Sequence, residues 1–93
     1  GGSHSLALKE DGTVWAWGWN DKGRLGDGTR IDRYTPVQVS NLSNVISIAA
    51  GWEHSLALRE NGIVWAWGYN FYGQLGDGTN EGRNIPVQVR AFF

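Results

Sequence analysis

Several residue types that stabilise or equip small chains are missing from this sequence. Its 93 residues include no cysteine and no methionine, and proline occurs only twice. Without cysteine the chain forms no disulfide and no zinc–thiolate site, so two common sources of stability for small domains are excluded. Because methionine is absent even from the first position, we expect the sequence to begin at a cut.

The sequence also lacks a charge of one dominant sign and a long apolar run. Eight Lys and Arg residues stand against nine Asp and Glu residues, and the net charge is −1. A surface that follows nucleic-acid phosphates carries a basic excess, so nucleic acid is not an expected partner. No stretch approaches the roughly 18 apolar residues of a membrane span, and no segment resembles a signal peptide. We therefore expect no membrane partner either.

What the sequence does contain is an internal repeat. It has 14 glycines and six tryptophans, which indicates many tight turns and large flat side chains between sheets. The segments HSLAL at 4–8, VWAWG at 14–18, LGDGT at 25–29 and PVQV at 36–39 all return fifty residues later, without an insertion. Such self-similarity predicts an architecture built from repeated structural units.

Each repeat contains short apolar runs separated by turns. The first repeat is predicted to form strands at residues 5–9, 13–19, 36–40 and 45–50. Asp-Gly at residues 11–12 and Asn-Gly at residues 61–62 stand between the first two runs, where such pairs favour a hairpin. Residues 20–35 are expected to form a polar loop, and Pro36 is acceptable as the first residue of an edge strand. Since no segment has a helical period, the chain is predicted to be all-β.

The predicted strands have two apolar faces. Val14 and Ala16 share one face of the second strand, and Trp15 and Trp17 share the other. A sheet with one wet face is apolar on one side only, so both faces are expected to be packed, as in blades stacked around an axis. We therefore predict β-propeller blades. They form two four-stranded antiparallel blade repeats, of which the first lacks its inner strand, so three strands are followed by four. Residues 1–50 contain the three outer strands of the first blade and then the inner strand of the next blade, and residues 51–93 contain the other three strands of that second blade.

The repeat resembles that of the regulator of chromosome condensation family. The residues that carry the resemblance are IAAG at 48–51, HSLAL at 54–58, VWAWG at 64–68 and GQLG at 73–76, together with Gly62 and Asn70. The resemblance implies a β-propeller, usually of seven blades, with the Ile-Ala-Ala-Gly strand innermost. It implies no single function, since members include a nucleotide exchange factor, a plant ultraviolet-light receptor and an inhibitor of β-lactamases. What they share is the binding of another protein by loops on a rigid ring.

Two blades do not close a ring, because repeats of this kind need about three or more neighbours to bury a continuous core. An open pair would expose apolar faces and strand edges, which favour association. One solution is self-assembly into a homo-oligomer with an even number of blades, six in a trimer or eight in a tetramer. The other is that the chain is a piece of a longer propeller.

Loops at one end of the predicted blades are the candidate partner-binding surface. Because strands alternate in direction, the turn before the second strand of a blade and the loop after its third strand lie at the same end. The candidate partner-binding residues at this end are Trp52, Glu53, Tyr69, Phe71, Tyr72, Trp19 and Lys22. Exposed aromatic residues dominate the energetics of protein interfaces, so these residues are expected to contact another protein.

Other conspicuous residues are assigned structural roles. They are His4, His54, Trp15, Trp17, Trp65, Trp67, Asp27 and Asp77. The histidines are expected to fix the adjacent turn by a hydrogen bond, and the tryptophans to fill the core. The aspartates are expected to form turns, because the further oxygen ligands of a calcium loop are absent. No metal site and no cofactor is predicted.

The sequence thus predicts a protein-interaction or structural scaffold rather than an enzyme. No catalytic triad order, phosphate-binding loop or carboxylate pair is recognisable. One alternative is a lectin-like binder that stacks sugars on aromatic loop residues. Another is a regulator of the nucleotide exchange factor kind, which rests on family analogy alone.

Overall fold

The computed structural model describes residues 4–51, 53–70 and 82–89, and these residues form seven strands. The strands are β1 (His4–Leu8), β2 (Val14–Gly18), β3 (Arg33–Gln38), β4 (Val45–Ala50), β5 (His54–Arg59), β6 (Val64–Gly68) and β7 (Arg83–Gln88). They form two antiparallel sheets, a first sheet in the order β1-β2-β3 and a second in the order β4-β5-β6-β7. No helix occurs among the described residues, so none could cross a membrane. The predicted all-β architecture of three strands followed by four is confirmed.

The two hairpins that begin with the HSLAL segment have the same geometry. His4 pairs with Gly18 and Leu8 with Val14, and the partners fifty residues later pair in the same register. In each connecting turn a glycine, Gly12 or Gly62, has a positive φ of 85° or 86°. A residue with a β-carbon rarely adopts this conformation, so the glycine of each Asp-Gly or Asn-Gly pair is what allows the tight reversal.

The third predicted strand begins earlier than expected. It was placed at residues 36–40, but β3 runs from Arg33 to Gln38, so the preceding loop is shorter and Pro36 lies within the strand. Proline is tolerated there because β3 pairs only with β2 among the described strands, which leaves its other edge without a ladder to interrupt. The same arrangement recurs in β7, where Pro86 lies inside the edge strand.

The hydrophobic core lies between the two sheets. Its buried members are Val14, Ala16, Leu25, Val39, Leu42, Val45, Ala57 and Trp67. Val14 and Ala16 come from one face of β2, whereas Ala57 and Trp67 come from the second sheet. The sheets therefore stack face to face, as adjacent propeller blades do.

The fully buried Trp67 side chain fixes how closely the sheets approach. Gly26, in the loop between β2 and β3, lies directly against this indole, and a β-carbon built there would be 2.7 Å from Trp67 Nε1. Only glycine fits at this distance. The small residue at position 26 therefore allows the first sheet to pack on the tryptophan of the second.

Candidate interaction site

The junction between the sheets contains a buried polar chain. The His4 side chain is 3% exposed, and its Nε2 lies 2.8 Å from Ser55 Oγ in the second sheet. The Ser55 hydroxyl donates to the backbone carbonyl of Arg24, also at 2.8 Å. Since that hydroxyl proton is used, Nε2 of His4 is the donor to Ser55. We expected His4 to bond the adjacent turn, and it instead bonds the next blade.

The His4 ring is neutral at physiological pH. Burial is the main cause that lowers its pKa from 6.5 to about 4, and the positive charge of Arg24 lowers it further. Burial disfavours the charged imidazolium, and nearby cations act in the same direction. The neutral ring keeps one N–H, which is the proton that the bond to Ser55 requires.

A second set of junction contacts joins the β2–β3 loop to the outer strand β7. Gly28 N–H donates to the carbonyl of Asn84 at 2.8 Å, and Asn84 Nδ2 donates to the carbonyl of Gly28 at 3.0 Å. Gly23 packs closely against Asn84, because a β-carbon at position 23 would be 2.8 Å from Asn84 Cα. The corresponding residue of the first sheet is Tyr34, which is 94% exposed.

The loop that makes these contacts is held in shape by Asn20 and Asp27. The buried Asn20 amide donates to the carbonyls of Thr29 and Ile31, both at 3.0 Å, and its oxygen accepts from Leu25 N–H at 3.0 Å. Asp27 accepts from the Thr29 hydroxyl at 2.7 Å. Burial raises the pKa of Asp27, but the hydrogen bonds that its carboxylate accepts outweigh this effect and hold the pKa below its ordinary value.

The predicted partner-binding residues that the structure describes form two contacts between the loops, Trp19 and Glu53 beside Arg24, and Lys22 beside Tyr69. Trp19 is 60% exposed, and the Arg24 guanidinium lies 5.7 Å from the centre of its ring. Arg24 Nη2 lies 4.0 Å from a carboxylate oxygen of Glu53, which comes from the second repeat. Lys22 Nζ lies 5.6 Å from the ring centre of Tyr69, which also belongs to the second repeat. Loops of both repeats therefore share one surface.

Four of the predicted site residues have no structural assignment. Trp52, Phe71 and Tyr72, from the candidate partner-binding set, and Asp77, from the structural set, lie outside the described residues. Their roles stay predictions. We define the loop-end cluster as the described members of the partner-binding set together with Arg24, that is Trp19, Lys22, Arg24, Glu53 and Tyr69.

The remaining structural candidates differ in burial between the two repeats. Trp67 is fully buried, whereas Trp17 is half-buried. Trp15 and Trp65 are both half-buried, and each lies beneath a cation, with Lys9 Nζ 5.3 Å from the Trp15 ring centre. His54 is half-buried, and its ring lies against Gly51.

Arg24 and Ser55 are the site residues that sequence reasoning missed. Arg24 stands in a polar loop and corresponds to Gln74 in the second repeat, so nothing in the sequence marks it as buried, although its side chain is 2% exposed. Ser55 did carry a signal, because a serine follows the histidine in both repeats. Among the described residues there is no cluster of three or more His, Asp or Glu side chains suited to a metal ion.

The sequence model of the regulator of chromosome condensation (RCC1) repeat matches residues 11–58 and 61–93. A second model with the same description matches residues 45–74. These matches cover most of the chain and follow the two repeats, so the chain belongs to the RCC1-repeat family.

Curated relatives are several times longer than this chain. The chain is 41% identical to the ultraviolet-B receptor UVR8 of Arabidopsis thaliana over 54 residues, which are 56% of the chain and 12% of the receptor. It is 44% identical to the RCC2 homologue of Danio rerio over 48 residues, 52% of the chain and 10% of the relative. A probable human E3 ubiquitin-protein ligase, HERC3, is 42% identical over 55 residues, 57% of the chain and 5% of the ligase.

Solved propeller structures superpose closely on the chain. Human WBSCR16 gives a TM-score of 0.85 at 25% identity, with 97% of this chain and 24% of that protein covered. Yeast RCC1 (Prp20) bound to Kap60 gives a TM-score of 0.81 at 30% identity, with 96% and 21% covered. A structure of Prp20p from Saccharomyces cerevisiae, described with its binding properties to Gsp1p and histones, gives 0.85 at 24% identity, with 97% and 24% covered. The predicted propeller fold is confirmed.

Proposed function

We propose that the chain is a protein-interaction scaffold that assembles head to tail with further copies of itself. Each sheet has a tryptophan-bearing side, the Trp face, and an opposite side that bears leucines, the Leu face. Within the chain, the Leu face of the first sheet packs on the Trp face of the second. The observation that carries the proposal is that the two Trp faces differ in exposure although their sequences are nearly the same.

The exposure difference is consistent at three corresponding positions. Ser55 is fully buried, whereas Ser5 is exposed. Trp67 is fully buried while Trp17 is half-buried, and Pro86 is buried while Pro36 is exposed. Because the sheets share sequence and register, the difference reflects coverage by a neighbouring blade. The Trp face of the first sheet therefore has the residues needed to pack against the Leu face of another sheet, as the Trp face of the second sheet does.

The Leu face of the second sheet has the matching properties. Val14, on the Leu face of the first sheet, is fully buried against Trp67, whereas Val64 at the corresponding position is half-buried. Beside Val64 a shallow groove of about 190 Å³ opens on this side, with Leu56 and Leu58 in its lining. Ala66 on the same face is buried beside Val89, so the apolar surface that stays open is the groove itself, and a partly exposed apolar groove is a feature of interaction sites.

Docking of this Leu face on the Trp face of another copy would repeat the junction already present within the chain. The interface would be heterologous, and a heterologous contact whose rotation closes gives a ring. Two blades per chain make the number of blades even, so a trimer of six blades or a tetramer of eight is expected. His54 of one copy would then occupy, against Ser5 of the next, the place that His4 occupies against Ser55.

Self-assembly is tested by measuring the particle mass with light scattering after size-exclusion chromatography. The unmodified chain should have three or four times the monomer mass of 10.3 kDa. Pro36→Arg places a charge on the exposed Trp face, so this variant should elute as a monomer. Ser43→Arg, at an exposed position in the turn between β3 and β4, is the matched control and should assemble normally. A monomeric unmodified chain, or equal masses for both variants, contradicts the proposal.

We assign the recognition of a different protein to the loop-end cluster. What supports this is the joint contribution of both repeats and the exposed Trp19 ring, since aromatic and arginine side chains dominate binding hot spots. The structure of yeast Prp20p is described with its binding properties to Gsp1p and histones, so these two proteins are suitable first probes. The lectin-like and exchange-factor alternatives stay predictions.

A binding experiment separates these alternatives. Purified Gsp1p, core histones and a glycan array are presented to the unmodified chain and to Trp19→Ala, with Ile46→Ala, at the exposed start of β4, as an apolar control away from the loop end. Protein binding that is lost only in Trp19→Ala supports the loop-end assignment. Binding to glycans alone favours the lectin-like alternative, and protein binding that survives Trp19→Ala contradicts the role of this cluster.

A further inference from the structure

The link between β3 and β4 contains a three-residue pattern that occurs only once in the sequence. In Asn41-Leu42-Ser43 an asparagine is followed two positions later by a serine, with a residue other than proline between them. This is the acceptor pattern for an N-linked glycan, which is a modification of the protein surface. None of the other six asparagines of the chain has serine or threonine two positions later. The pattern therefore indicates Asn41 alone.

Both polar residues of this pattern lie at the protein surface. Asn41 and Ser43 are exposed, whereas Leu42 between them is 4% exposed and belongs to the core between the sheets. Burial of Leu42 holds the link against the sheets and leaves the side chains on either side of it in solvent. Asn41 has a positive φ of 57°, a conformation that asparagine adopts more readily than most residues with a β-carbon. The asparagine of the pattern thus lies in an exposed turn.

The side-chain amide of Asn41 has no structural role in the described part of the chain. Neither this amide nor the hydroxyl of Ser43 makes a hydrogen bond to another described residue. The amides of Asn20 and Asn84, in contrast, donate to backbone carbonyls and hold the β2–β3 loop and the junction in place. A glycan on Asn41 would therefore break no hydrogen bond that stabilises the fold.

The position of the link separates Asn41 from the loop-end cluster. Val45 N–H, at the end of the link, donates to the carbonyl of Gly12 at 3.1 Å, and Glu60 N–H donates to the carbonyl of Asn44 at 2.8 Å. The link therefore lies beside the two hairpin turns. Because the strands are antiparallel, these turns are at the opposite end of the sheets from the loop-end cluster. A bulky group on Asn41 would leave that cluster open to a protein partner.

We propose that Asn41 is the acceptor of an N-linked glycan. The co-substrate is an oligosaccharide carried on a lipid pyrophosphate. In the transfer, the bond between the sugar C1 and a pyrophosphate oxygen breaks, and the lipid pyrophosphate leaves with the electron pair. C1 forms a bond to Nδ2 of Asn41, which loses one proton, so no oxidant or reductant is needed. The Ser43 hydroxyl completes the pattern that the transferase recognises.

The test is to secrete the full chain, behind a cleavable secretion signal, from cells that carry out N-glycosylation. The mass of the secreted chain is measured before and after treatment with peptide-N-glycosidase. The unmodified chain should carry one glycan, which the treatment removes while converting the acceptor asparagine to aspartate. Asn41→Gln and Ser43→Ala should each abolish the added mass. Secretion of the unmodified chain without a glycan, or added mass that survives Ser43→Ala, would overturn the proposal.

Two controls separate the specific site from its surroundings. Asn44 is exposed in the same link and has the same φ of 57°, but it lacks the serine, so Asn44→Gln should keep the glycan. Lys22→Thr combined with Ser43→Ala moves the pattern to Asn20, whose amide is fully buried and hydrogen-bonded, so folded chains of this variant should carry no glycan. Loss of the glycan in Asn44→Gln, or equal occupancy of Asn20 and Asn41 in folded chains, would contradict the assignment. Because the readout is the covalent mass of a single chain, it does not depend on self-assembly.

Discussion

Acid should weaken the junction between the sheets, because the His4 ring is buried there in its neutral form. In the unfolded chain the pKa of this ring is 6.5, and in the folded chain burial, with a smaller contribution from the positive charge of Arg24, lowers it to about 4. Between these values the unfolded chain binds a proton that the folded chain does not. The stability from His4 is therefore fully present above pH 6.5 and is lost as the pH falls towards 4.

The size of the effect follows from the separation of the two pKa values. Each pKa unit corresponds to about 1.4 kcal/mol, so the complete loss is about 3 kcal/mol. Proton linkage predicts that about 1.4 kcal/mol of this stability is lost between pH 7.5 and pH 5.5. Hydrogen bonds from Thr29 hold the pKa of Asp27 below its ordinary value although burial raises it. This carboxylate therefore stays ionised at pH 5.5 and does not add to the change.

Urea unfolding followed by tryptophan fluorescence measures this difference at pH 7.5 and pH 5.5. All chains carry Pro36→Arg, so that association does not contribute. In that background His4→Gln should abolish most of the pH dependence, whereas His54→Gln, a change at the half-buried counterpart, should retain it. Equal stability at both pH values, or a pH dependence that disappears with His54→Gln and survives His4→Gln, would refute the assigned role of His4.

Two further substitutions test the junction by the same unfolding measurement. Ser55→Ala removes a buried hydroxyl that makes two hydrogen bonds, so it should lower the free energy of unfolding by about 1–3 kcal/mol. Ser5→Ala, at the exposed counterpart, should change the free energy of unfolding by less than about 0.5 kcal/mol. Equal losses from the two substitutions would refute the role of Ser55 at the junction. Gly26→Ala should cost about 2–4 kcal/mol, because its β-carbon would collide with Trp67 at a positive φ of 71°. Gly62 also has a positive φ, but a β-carbon there would meet nothing within 4 Å, so Gly62→Ala should lower the free energy of unfolding by only about 1 kcal/mol. A loss as large as that of Gly26→Ala would argue against the collision with Trp67.

Much of the fold was predictable because short sequence patterns specify it, and most of these patterns occur in both repeats. The Asp-Gly and Asn-Gly pairs mark the hairpins, and the alternation of Val14 and Ala16 with Trp15 and Trp17 indicates a strand packed on both sides. The start of β3 was not predictable from such signals. Residues 33–35 continue the largely polar stretch that follows Gly28, and a proline inside a strand is acceptable only once the strand is known to lie at an edge.

The part of the candidate site that follows from strand direction was predictable from the sequence. The part that follows from the burial of side chains was not. Alternation of the strands places Trp19 and Tyr69 at one end, and the structure brings their loops together. The burial of Arg24 depends on the packing of one repeat on the next, which no local pattern encodes. The bond from His4 to Ser55 joins residues 51 apart in sequence, so the repeat marks both residues without revealing that they contact each other.

The most direct test of the account is the mass of the unmodified chain in solution beside those of Pro36→Arg and Ser43→Arg. Self-assembly predicts a particle of three or four chains of 10.3 kDa each, reduced to a monomer by Pro36→Arg and unchanged by Ser43→Arg. A monomer for the unmodified chain would contradict it, because the exposed Trp face would then not be a docking surface for a second copy.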